Sequence, residues 1–209
     1  MPAKRPNFFV DTNILVDYLL SQEYSKNKVK DSQFYDMFKP SIDFLSFYFK
    51  NEKNLRLCTS FFNLCELPNV LIDELVQKKM FRDRISFRYF TKYKGIFLKS
   101  KNYKEQVKET FDDYYAFLKE KKIWFINDVS VSSESQLREI DELHVTHDLP
   151  FADTLIFYVA QMEGGFFVTT DRHFLDNKTL KKLYESKIEI VSPSAAIARM
   201  KLCLSQQVH

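Results

Sequence analysis

Glycine is close to absent: the 209 residues hold three, Gly95 and the adjacent Gly164 and Gly165. Neither a G-x-G-x-x-G turn nor a P-loop can be written with them, which excludes nucleotide binding through a glycine-rich phosphate cradle. So few glycines also leave few special turns and favour helix. Cysteine is as scarce. Cys58, Cys65 and Cys203 are scattered and odd in number, so they make neither a disulfide framework nor a zinc knuckle. A reducing compartment is expected, hence a cytoplasmic protein. No apolar run nears the roughly 18 residues of a membrane span, so no membrane partner is expected. The basic start, Met1 to Pro6, leads into only Phe8, Phe9 and Val10 before Asp11, too short for a signal-peptide core. The G-x-S-x-G elbow of serine hydrolases is missing too.

Aromatic and charged residues are plentiful: Phe 21, Tyr 11, and 28% Asp, Glu, Lys and Arg. The length suits one well-buried domain spanning 1–209, with no repeat or linker. The net charge of +3 conceals an asymmetry. Ten cations (Lys78, Lys79, Arg82, Arg84, Arg88, Lys92, Lys94, Lys99, Lys101, Lys104) face one acid, Asp83, between positions 78 and 104. A basic block in an otherwise acidic chain points to a polyanionic partner.

Short apolar runs that stop abruptly read as buried strands of a parallel sheet. They stand at Phe8–Val10, Leu55–Thr59, Ile123–Ile126, Phe166–Thr170 and Lys187–Val191. Helical patterns lie between them, so the expected fold is α/β, a three-layer α/β/α sandwich on a central parallel sheet. Ser60 and the Ser133-x-x-Gln136 box are expected to open helices, and Pro150 to sit in the first turn of another. Pro40 is expected to split the aromatic 34–49 stretch into two helical pieces, and Ser25 to Lys30 to form a loop. Phe81, Ile85, Tyr89 and Tyr93, at i+4 spacing, are expected to form the buried stripe of one helix ending at Gly95. The cations on its other faces would be exposed.

Two of the strands end in acids, at Asp11 and Asp171. Ligands of parallel sheets bind outside the carboxyl ends of the strands. Two carboxylates on one edge call for a cation, most often a divalent metal. Asp153, in the first turn of its helix, and Glu66, between Cys65 and Leu67, can join them. Each also has a bland reading: helix cap, macrodipole partner, Asx turn or solvated face. Pro68 is expected to kink the helix that carries Glu66; should the kink re-aim Glu66, Asp73 or Glu74 is next in line.

F-F-V-D-T-N-I-L-V-D-Y-L at 8–19, C-E-L at 65–67, L-P-F-A-D-T-L-I at 149–156 and F-F-V-T-T-D-R-H-F at 166–174 resemble the successive motifs of the PIN domain. The resemblance implies a PIN-like fold and a metal-dependent ribonuclease. It implies catalytic and metal-binding roles for Asp11, Glu66, Asp153 and Asp171, supported by Thr12, Asn13 and Thr170. Many such domains are the toxin of a VapBC-type toxin–antitoxin pair; others process RNA. RNA, a small antitoxin protein and a second copy of the chain are the partners it implies. The chain is longer than a compact PIN toxin, and the excess is expected as helical elaboration around 24–122.

Carboxylate oxygens suit Mg2+ or Mn2+, and four acids suffice for one or two ions. The expected reaction is in-line attack on phosphorus by water that the metal activates, leaving a 5′-phosphate and a 3′-hydroxyl. Lys78, Lys79, Arg82, Arg84, Arg88 and Lys92 are the candidate RNA-binding residues. Three rivals stand beside this reading. One is a non-cleaving PIN-like module that binds RNA or protein. Another is a haloacid-dehalogenase-type phosphatase, ranked last because Asn13 fills the second acid position. In the third, His144 and His147 bind a transition metal; they are instead expected as loop residues, with His173 near the site but outside the ligand set.

Overall fold

The computed structural model describes residues 5–26, 32–121, 123–126 and 133–206. β1 (Asn7–Val10) leads into α1 (Thr12–Lys26), α2 (Ser32–Lys50), β2 (Arg56–Ser60) and α3 (Phe61–Arg82). A single 3-10 turn at Phe87–Tyr89 precedes α4 (Phe90–Leu98) and α5 (Lys101–Lys121). Then follow β3 (Trp124–Ile126), α6 (Glu134–His147), α7 (Phe151–Glu163) and β4 (Gly165–Val168). The chain continues with α8 (Arg172–Leu175), α9 (Lys178–Tyr184), β5 (Ile188–Val191) and α10 (Pro193–Gln206). Most of the loop expected at 25–30, and Asn127-Asp128 after the third strand, lie outside the described residues.

All five strands are parallel, in the order β3-β2-β1-β4-β5. Alternation along β1 splits the core in two. Phe8 and Val10 face a cluster with Ile14, Leu45, Leu71, Tyr114 and Met200, drawn from α1, α2, α3, α5 and α10. Phe9 faces the other side, with Leu143, Phe157, Phe174 and Leu180 from α6, α7, α8 and α9. Helices on both faces of a parallel sheet make the three-layer sandwich. No helix among the described residues is long and apolar enough to cross a membrane.

β1 is central. The chain moves to β2 and β3 on one side of it and to β4 and β5 on the other, so the topological switch point lies between β1 and β4. Val10 pairs with Val168, and the Asp11 N–H donates to the Val168 carbonyl at 3.0 Å. Parallel register alone thus brings the residues after Val10 and those after Val168 to one edge. Gly165, at φ +92°, starts β4 where a Cβ would meet the Asn7 carbonyl oxygen at 2.5 Å. Only glycine fits that approach.

Several local expectations are corrected. α2 runs unbroken through Pro40, because Phe38, Ile42, Phe44, Leu45 and Tyr48 are buried along its length and outweigh one lost hydrogen bond. α3 likewise continues through Pro68. The expected 81–93 helix does not form. α3 stops after Arg82, α4 starts at Phe90 and runs through Gly95, and Phe81 and Tyr89 are exposed. His144 and His147 belong to the last turn of α6 rather than to a loop. Pro150 stands just before α7. The Ser133–Gln136 capping box forms as expected.

Candidate functional site: a carboxylate cluster at the sheet edge

Asp11 follows β1 directly and is 4% exposed. One of its oxygens accepts the Thr12 N–H at 2.7 Å and the other accepts the Thr169 hydroxyl at 2.6 Å. Burial pushes its carboxyl up to about 7, with Glu66 and Asp153 pushing the same way, against the two hydrogen bonds. Thr169 also accepts the Asp171 N–H at 2.9 Å. One buried hydroxyl therefore ties the two strand-end acids together. The supporting residue expected there was Thr170, but that side chain is exposed. A strand's residues alternate in facing, so a shift of one position exchanges inside for outside.

Glu66 joins the same edge from α3. The Thr12 hydroxyl donates to its Oε2 at 2.7 Å and accepts from Asn63 Nδ2 at 3.0 Å. Asn63 is itself fixed by Ser60: its Oδ1 accepts the Ser60 N–H at 3.0 Å and the Ser60 hydroxyl at 2.6 Å. The cap that starts α3 thus sets Thr12, and through it Glu66. Pro68 does not turn Glu66 away. Asp73 and Glu74 are not its replacements: Asp73 pairs with Lys94, and Glu74 lies toward Asp17. Burial raises the Glu66 carboxyl above its usual range, with Asp171 adding to the effect. Asn63, completely buried, was missed in the sequence; its only signal was the Ser-x-x-Asn spacing after a strand.

Asp153 stands in the first turn of α7, half-buried, and its carboxyl is pushed up to about 7 by burial and then by Glu66 and Asp171. Asp171 caps α8, accepting the His173 N–H at 2.7 Å through one oxygen. The bland reading of Asp171 as a cap therefore holds together with the site reading. Asp153, Asp171 and His173 each offer one ligand atom, all within 4.8 Å of one another. His173, expected outside the ligand set, is one of these three. Asn13 is half-buried, and no hydrogen bond joins it to the four acids among the described residues.

No Lys or Arg among the described residues forms an ion pair with the four acids. Burial, and then the charge of neighbouring acids, holds Asp11, Glu66 and Asp153 above the usual carboxylate range instead. A hard divalent cation fits that donor set. The expected histidine site does not form: His144 Nδ1 is 2.6 Å from the Leu149 carbonyl, and His147 is buried, which lowers its pKa.

Of the expected RNA-binding residues, Arg82, Arg84, Arg88 and Lys92 are exposed. Lys78 and Lys79, expected exposed, are half-buried, and Lys79 pairs with Asp83 at 3.2 Å. They lie on α3 before its end, where the helix still packs on the core.

No family model and no curated protein matches the sequence. Solved structures that are similar over most of their length include the following two. VapBC2 from Rickettsia felis, solved bound to a DNA fragment from its promoter, aligns at 19% identity and a TM-score of 0.42, covering 89% of this chain and 98% of that one. PAE2754 from Pyrobaculum aerophilum aligns at 15% identity and a TM-score of 0.42, covering 94% and 98%. At such scores neither likeness decides fold or function, which rest on the strand order and the acids described above.

Proposed function

We propose that the protein is a PIN-like endoribonuclease dependent on Mg2+ or Mn2+, one domain over 1–209 with helical elaboration between β1 and β3. One observation carries the reading. Four acids from four separate elements converge on one carboxyl edge at the switch point, unpaired with any Lys or Arg among the described residues, at the positions of the motifs resembling the PIN family. A distorted Glu66 would favour a non-cleaving module; the hydrogen bond that the Thr12 hydroxyl donates to Glu66 supports the nuclease reading instead. A toxin with a small antitoxin partner is one form of this reading, and a homodimer one assembly of it.

Asp153 and Asp171, with His173, would hold the metal, and Glu66 and Asp11 complete the negative edge. When bound, the metal supplies Lewis acidity toward water and the leaving oxygen of a phosphodiester. Thr12, Thr169 and Asn63 hold Asp11 and Glu66 in place through the hydrogen bonds above, so little reorganisation is needed on binding. The exposed cations would bind the phosphates of the strand.

Labelled RNA incubated with Mn2+, with Mg2+ and with EDTA tests the proposal. Cutting is expected only with metal, leaving a 5′-phosphate, and a single deoxynucleotide at the scissile position should not prevent it. Cleavage that persists in excess EDTA, or a 2′,3′-cyclic phosphate end, would overturn it.

A further inference from the structure

We propose that residues 81–92 form a stacking platform for the bases of single-stranded RNA; this rests on the reading of the protein as one that acts on RNA. α3 ends in a tight reversal. The Ile85 N–H donates to the Met80 carbonyl at 2.8 Å and the Arg84 N–H to the Phe81 carbonyl at 3.1 Å. Arg84 takes φ +54°, the left-handed position that glycine fills most cheaply. An arginine stands there instead, its side chain exposed.

Beyond this turn the surface combines rings with cations. Phe81, Phe87 and Tyr89 are 45%, 64% and 46% exposed. Phe87 stacks on Phe90 with centroids 5.2 Å apart, and Phe90 packs against the core. The Arg88 guanidinium lies 4.7 Å over the Tyr89 ring. Asp83, the one acid of the block, is already engaged by Lys79 and by the Tyr93 hydroxyl. The remaining charge is positive: Arg82, Arg84, Arg88 and Lys92.

A polyanion with exposed flat faces matches both features. Bases stack on Phe87 and Tyr89 while phosphates meet the arginines. Duplex RNA hides its base faces and offers mainly its backbone. α3 links the platform to the cluster, since the helix that carries Glu66 ends at Arg82, about 24 Å further on at 1.5 Å per residue.

The test is fluorescence anisotropy in EDTA, with a labelled single-stranded 16-mer and its duplex, over a salt series. Single strand should bind more tightly than duplex. Replacing both Phe87 and Tyr89 by alanine should weaken single-strand binding about 100-fold without altering the salt slope. Arg84→Gly should lower the log–log salt slope by about 0.7 while raising the melting temperature by about 2 °C. Equal affinity for duplex and single strand, or wild-type affinity in the double variant, would overturn the platform. So would a double variant with unchanged RNA binding but altered self-association by sedimentation, which would make this face a contact between copies. RNA bound as expected but never cut on adding Mn2+ would keep the platform and sink the nuclease reading. Cutting with no aromatic contribution to binding would do the reverse.

Discussion

Thr169 is the residue on which the two strand-end acids depend. Its hydroxyl donates to Asp11 and accepts from the Asp171 N–H. Valine has nearly the same shape but can do neither. Thr169→Val should cost about 2 kcal/mol, because it leaves buried polar groups unpaired, measurable by urea denaturation. It should also move the acid limb of the pH–rate profile upward. Thr169 lowers the pKa of Asp11, so its loss pushes an already raised carboxyl higher. An unchanged acid limb would show that Asp11 ionisation does not limit the reaction. Asp11 and Asp171 were legible in the sequence because each ends an apolar run, a purely local mark. Thr169 was not, because Asp11 lies 158 positions away, and the Ser60 spacing marks Asn63 as a cap but not as the partner of Thr12, 51 positions away.

Among the elements, α1 and α3 hold a second acidic pair away from the sheet edge, Asp17 buried and Glu74 half-buried. Asp17 is 9% exposed and accepts the Ser41 hydroxyl at 2.6 Å. Its carboxyl is pushed up to about 7 by burial, with Glu74 adding, and Glu74 is itself raised to about 7. A carboxyl whose folded value lies above its unfolded value takes up a proton on folding. Its contribution is complete below about pH 4, the unfolded value, and is lost as pH rises through 7. Asp17→Asn keeps an acceptor for Ser41 and carries no charge. In EDTA it should melt at least about 5 °C above wild type at pH 8 and close to it at pH 4; equal melting temperatures at pH 8 would contradict burial as the cause. The strands and most helices were legible from periodicity and caps, as Ser60 and Ser133 show. The breaks were not. Pro40 and Pro68 sit inside continuous helices because tertiary packing outweighs a local preference, while Arg84 ends α3 where no glycine marks the stop.

At the scale of the molecule, one sheet order fixes both the cluster and its approach. The switch point between β1 and β4 gathers the acids, and the basic turn sits at the far end of the helix that carries Glu66. The parallel α/β architecture followed from alternating strand and helix patterns. That β1 would be central did not, since nothing local in a sequence orders the strands. A divalent-metal site at the converging acids must show itself as metal affinity that depends on them. Calorimetric titration of Mn2+ into wild type and Asp171→Asn tests it directly. Asparagine caps a helix as well as aspartate does, so α8 should survive and only the ligand charge is lost. Wild type should bind Mn2+ and release protons at pH 7, because the Asp11 and Asp153 carboxyls are raised to about 7. Its affinity should therefore rise from pH 6 to pH 8. Asp171→Asn should bind at least about tenfold more weakly. Equal affinity in the two proteins, or no binding by wild type at pH 8, would contradict the account.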